Sequence, residues 1–145
     1  MDLWPDEIEA IDEIKSPVTI LKEQASLLGN KTKNVLKAEV RPTNRVGEEF
    51  SYRFFLVAPA LQDYHYELFT IWHTITLYPV KFLVDSEIAE EFKIGKDRTL
   101  NAQSEEKFIE ILERILKSKK TVEVMQVLLA QSTDYDPKTK TASAW

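Results

Sequence analysis

Cysteine is missing altogether, glycine occurs three times and proline six times in 145 residues. Without cysteine there are no disulfides, no thiolate metal sites and no cysteine nucleophile. The three glycines stand apart at positions 29, 47 and 95, so no glycine-rich phosphate loop can form. The GxSxG elbow of serine hydrolases and the HExxH zinc motif are also missing. Sparse glycine and proline argue against long disordered linkers. No apolar run approaches the ~18 residues needed to span a bilayer. The acidic opening MDLWPDEIEAIDEI lacks the basic start and apolar run of a secretory signal. A cytoplasmic location, with no membrane partner, is the default expectation.

What remains is ordinary for a globular chain, with 43% hydrophobic and 30% charged residues. The length fits one domain able to bury a core without staples. The net charge of −5 is uneven. Asp2, Asp6, Glu7, Glu9, Asp12 and Glu13 precede the first basic residue, Lys15, and setting those six aside turns −5 into +1. The acidity is a feature of the N-terminus, which reads as a solvated end or a negative arm.

The stretch from Phe50 to Val84 is rich in aromatic and β-branched residues and holds no glycine. It reads as the centre of an antiparallel sheet. Leu36, Ala38 and Val40 alternate with Lys37, Glu39 and Arg41, which predicts a first strand ended by Pro42. A second strand runs from about Glu49 to Ala58. Pairing Val40 with Phe50 opposes Arg41 to Glu49 and is the expected register. The third strand is expected over His65 to Tyr78. Phe69, Ile71, His73, Ile75 and Leu77 should face the core, and Leu68, Thr70, Trp72, Thr74 and Thr76 should point away. Pro79 marks a bend, and Lys81 to Val84 is a short fourth strand.

Helices flank this sheet in the sequence. Ile8, Ile11 and Ile14 suit a short amphipathic helix anchored by Trp4. Ser16-Pro17 caps a helix expected over Pro17 to Leu28, its stripe formed by Val18, Leu21, Ala25 and Leu28 and widened by Ile20 and Leu27. Gly29-Asn30 supplies the left-handed stop. Ser86 is expected to cap a short helix bearing Ile88 and Phe92, and 93–102 reads as polar loop. Ser104 caps a helix with Phe108, Ile111, Leu112 and Ile115 on one side, and Thr121 starts the last helix. The expected architecture is α+β: a mainly antiparallel meander of three to five strands with N-terminal and C-terminal helices packed on it. Residues 1–131 form the single domain, and 132–145 form a flexible tail.

No catalytic residue, metal site or cofactor is assigned. His65 and His73 share a strand but lie roughly 26 Å apart at ~3.3 Å per residue, too far for one metal ion. Glu48-Glu49, Glu90-Glu91 and Glu105-Glu106 are adjacent in sequence, so their carboxylates diverge instead of converging on a cleft. Five basic residues and one acid lie between Lys31 and Arg45. With Arg53 they could form a modest positive strip. That is a smaller basic excess than nucleic-acid-binding domains carry, so nucleic acid is set aside as a partner.

The most informative feature is the sheet face opposite the core set. Arg53, Phe55, Thr70 and Trp72 fall on it; either one of the helices covers them, or they remain as a partner-binding patch, since aromatics beside arginine are typical interface anchors. The leading expectation is a non-enzymatic protein-binding module, of the inhibitor kind seen in antitoxins and immunity proteins or of the adaptor kind. Its partner is another protein or a second copy of the chain. The alternative is a small-molecule or enzymatic domain with a pocket between sheet and helices, lined by Tyr52, Tyr66 and His73.

Overall fold

Five strands follow one another in space as they do in sequence, in the order β1-β2-β3-β4-β5, each antiparallel to the next. They are β1 (Lys37–Pro42), β2 (Phe50–Ala58), β3 (Tyr64–His73), β4 (Val80–Val84) and β5 (Thr99–Ala102). Four α-helices join them among the described residues: α1 (Pro17–Lys31), α2 (Ser86–Glu91), α3 (Glu105–Leu116) and α4 (Lys119–Asp134). The computed structural model of the protein describes residues 1–6, 15–44 and 47–134. The α+β meander with helices at both ends of the chain is therefore the architecture present.

One face of the sheet is the core. Phe54, Leu56, Phe69, Ile71, Phe82 and Ala102 form a single cluster with apolar residues from all four helices, including Leu21, Ile88, Ile111 and Leu128. Phe54 stacks on Phe69 at 5.0 Å, and Phe82 stacks on Phe108 of α3 at 5.1 Å. The α3 stripe is the sharpest agreement with the sequence. Phe108, Ile111, Leu112 and Ile115 are all buried, and Ser104 Oγ accepts from Lys107 N at 3.2 Å.

Several expectations need correction. The β1–β2 register is displaced by four residues, so Val40 faces Phe54 and Arg41 faces Arg53. An even displacement leaves every side chain on its expected face. It is set by a long connection across which Thr43 N donates to Ser51 O at 2.9 Å. The repulsion in the Arg41–Arg53 pairing is relieved because each arginine has its own acid, Glu39 at 2.6 Å and Glu67 at 3.8 Å.

On β3 the alternation breaks at a bulge. Phe54 pairs with Phe69 but Phe55 pairs with Glu67, which leaves Leu68 unmatched. Leu68 and Phe69 are both buried as a result, so Leu68 does not belong to the outer set. The strand also stops at His73, not at Tyr78. Leu77 N donates to Thr74 O at 3.0 Å, closing a turn with Leu77 at φ 73°. Chain reversal there lets β4 return beside β3, and it leaves Ile75 82% exposed instead of in the core. A cis peptide joins Tyr78 to Pro79 at the end of this turn.

The polar stretch expected as loop contains β5, whose Leu100 and Ala102 pair inward with Phe82 and Val80. Helix α1 runs past Gly29-Asn30 to Lys31, and the left-handed residues are Lys33 and Asn34. Leu27 lies on its exposed side. The cap of α2 is Asp85, whose Oδ1 accepts from Ile88 N at 2.8 Å, rather than Ser86. Helix α4 starts two residues before Thr121, with Ser118 as a side-chain acceptor for Thr121 N, and continues to Asp134 with Ser132 buried. Trp4 is 75% exposed. The short helix expected over Asp6 to Lys15 falls on residues 7–14, outside the described residues, as does the chain from Tyr135 onward.

Candidate functional site

Strand parity builds the second face of the sheet. Ser51, Arg53, Phe55 and Val57 of β2 stand opposite Trp72, Thr70, Glu67 and His65 of β3. Arg41 and Glu39 extend the face across β1, Lys81 and Leu83 across β4, and Thr99 and Asn101 across β5. None of Phe55, Val57, Trp72 or Leu83 belongs to the core cluster that gathers the buried residues of all four helices. The described helices thus pack on the opposite side, and on this face Phe55, Trp72 and Leu83 are half-buried while Val57 is 2% exposed.

Trp72 is half-buried near its centre, between two shallow grooves. The first, of about 470 Å³, is lined by Ser51, Arg53, Glu67, Thr70, Trp72 and the Thr43-Asn44 connection. The second, of about 360 Å³, runs from Trp72 to Lys81, Leu83, Thr99 and Asn101. Glu49 borders both. Thr70 is 7% exposed and its hydroxyl donates to Glu67 Oε1 at 2.9 Å, which fixes that carboxylate beside Arg53.

A second group sits at the β1 side. Arg41 donates through Nε and Nη2 to Glu39 Oε2, at 2.9 and 2.6 Å. The guanidinium holds the Glu39 carboxyl below its ordinary value, against the opposing effect of partial burial. Arg41 Nη2 also donates to His65 Nε2 at 2.6 Å, while the Nδ1 of His65 bonds the carbonyl of Asp63. A carbonyl only accepts, so Nδ1 carries a ring proton, and Nε2 stands between Arg41 Nη2 and Glu39 Oε2, the latter at 3.3 Å. The Arg41 guanidinium lies 5.2 Å from the Phe55 ring centre, and His65 meets the same ring edge-on. Phe55 is therefore framed by two polar groups held in place by their own partners.

Arg53, Phe55, Thr70 and Trp72, the four residues assigned as contact residues from sequence, are all brought onto this one face. Of Tyr52, Tyr66 and His73, the first and last are stacked together, and Tyr66 lies apart from them. His73 is buried on the core face, 6% exposed, stacked between Phe50 at 5.5 Å and Tyr52 at 6.0 Å. Its Nδ1 donates to Thr74 O at 2.7 Å, and its Nε2 is buried without a hydrogen-bond partner. Tyr66 lies at the far end of β3, where its hydroxyl donates to Asp85 Oδ2 at 3.3 Å. Burial first, and the Asp85 charge second, push the Tyr66 phenol up.

Sequence reasoning missed Glu39, Arg41 and His65 as one group. Their outward parity was legible, but their proximity depends on the β1–β2 register. It also missed Thr99 and Asn101, because four residues carry too little alternation to show a strand. Among the described residues, no three histidine or carboxylate side chains converge in a way that could hold a metal ion. No helix among them is long and apolar enough to cross a membrane. Compared with protein-family models, with curated proteins and with solved structures, the chain finds no match.

Proposed function

We propose that the protein is a non-enzymatic binding module and that the outer sheet face is where it receives another polypeptide. An inhibitor or adaptor acts in this way, by occupying or bridging surfaces without performing chemistry. The observation that supports this reading is the segregation of the helices. All four described helices bury their apolar sides against one face of the sheet, while Trp72, Phe55 and Leu83 remain on the other. A half-buried indole flanked by arginine and ringed by polar side chains has the composition of an interface centre and its rim.

The test compares matched baits. Wild-type protein and Trp72→Ala are used to capture proteins from the native host and an untagged copy of the chain, with thermal melts of both baits in parallel. Polypeptides held by wild type and lost by a variant that melts near the wild-type temperature support the reading. Polypeptides held equally by both overturn it.

A further inference from the structure

We propose that the polypeptide received by the outer face is a second copy of this chain. The two sheets pack face to face about a twofold axis through the Arg53–Glu67 pair. The inference rests on the reading of this face as a contact surface and names its occupant.

The charge pattern carries the choice of partner. Both described arginines of this face have an acid as neighbour, Arg53 with Glu67 at 3.8 Å and Arg41 with Glu39 at 2.6 Å. A strongly acidic or strongly basic partner would be repelled by half of each pair. A second copy related by a twofold axis through the Arg53–Glu67 pair presents glutamate to arginine and arginine to glutamate, the self-complementarity of an isologous interface.

Shape agrees with charge. Trp72 lines two shallow grooves of about 470 and 360 Å³, so each copy offers recesses that side chains of the other can enter. Extent agrees as well. Five strands ~4.8 Å apart, averaging about seven residues at ~3.3 Å each, give a face of about 500 Å² in plan. Two such faces bury about 1,000 Å² before side-chain relief is added, the lower limit for a specific interface. Two antiparallel sheets of the same twist also pack at ~10 Å with aligned strands, the geometry of β-sandwiches.

The experiment is sedimentation equilibrium on the full chain, with Arg53→Glu, Glu67→Arg and Trp72→Ala as variants and a thermal melt of each. The expected result is a dimer for wild type. Trp72→Ala should weaken it by about 30-fold or more, the size expected for a central aromatic anchor. Arg53→Glu and Glu67→Arg should each weaken self-association about tenfold or more by setting like charges against each other across the axis. Mixing these two charge variants in equal amounts should restore a dimer, because glutamate then meets arginine at both contacts. Three results would overturn the proposal: a wild type that stays monomeric, charge variants that dimerise like wild type, or a mixture no more associated than its components. A monomeric wild type whose capture of a different protein is lost in Trp72→Ala would overturn the self-pairing alone and leave the contact face standing.

Discussion

The two faces of this sheet are drawn from the same strands, residue by residue, yet they are built differently. On the inner face, Phe54, Ile71 and Phe82 are fully buried against helix residues. On the outer face, Arg53, Thr70 and Lys81 are the immediate neighbours of those same residues. The inner face is held by dispersion and exclusion of water, which reward filling space. The outer face holds its charges in short-range pairs and fixes them through side chains such as Thr70. The comparison teaches that the outer face is organised without being packed, and four substitutions sharpen or break it.

The largest effect belongs to the inner face. Phe82 is buried and contacts the rings of Phe69 and Phe108. Phe82→Ala should lower the free energy of unfolding by ~3–5 kcal/mol, seen as a shift in the urea midpoint. A loss under about 1 kcal/mol would show that the core repacks around the cavity and would remove the contrast between faces.

Trp72→Ala, on the outer face, should cost about 1 kcal/mol or less, because Trp72 is half-buried and lies outside the core cluster. The same urea titration decides. A loss approaching that of Phe82→Ala would mean that something buries the indole in the folded monomer.

Tyr78 adds a pH-dependent test on the core side. Its ring meets Phe108 edge-on, and its hydroxyl is buried without a partner. Burial, reinforced by the Glu105 charge, pushes the phenol from 10.0 up to about 12. A raised acid keeps its stabilising contribution at neutral pH and loses it as pH rises from the unfolded value towards the folded one. Wild type should therefore lose stability between pH 10 and about 12. Tyr78→Phe should be close to neutral at pH 7, since no hydrogen bond is removed, and should lack that alkaline decline. Identical alkaline melting curves for the two proteins would contradict the assignment.

The smallest effect is expected at Glu39. Its carboxyl lies below its ordinary value of 4.5 chiefly because of the hydrogen bond from Arg41. The sign is opposite to that of Tyr78. The contribution is present above the unfolded value and is lost as pH falls through the folded one. Both partners are well exposed, so Glu39→Gln should change stability by no more than about 0.5 kcal/mol at neutral pH. It should also slightly flatten the acid side of the stability profile. A loss of several kcal/mol would mean that the Arg41 group is part of the core's support.

How much was legible in the chain varies with the range of the interactions involved. Helix α3 was readable because its signals are local, a serine cap followed by Phe108, Ile111, Leu112 and Ile115 at helical spacing. The parity of β2 and of most of β3 was readable for the same reason, and it put Arg53, Phe55, Thr70 and Trp72 on one face. The bulge at Leu68 was not readable. Leu68 and Phe69 are both apolar, and only the pairing with β2 decides which one is the extra residue. The β1–β2 register depends on the length of the connection after Pro42, where several offsets give similar pairings. The turn after His73 was hidden because Thr74 to Leu77 continues the alternation that reads as strand.

The sequence by itself determined the strand-rich centre, the capped helices and the two-sided chemistry of the strands, because backbone geometry alternates side chains whatever the fold around them. Only the tertiary structure decided which face receives helices. It also decided which residue of β3 bulges and which charges meet across strands. These are choices among arrangements that satisfy the local pattern about equally well. They are settled by the packing of parts far apart in the chain, where Phe108 of α3 reaches Phe82 of β4 and Arg41 of β1 reaches His65 of β3.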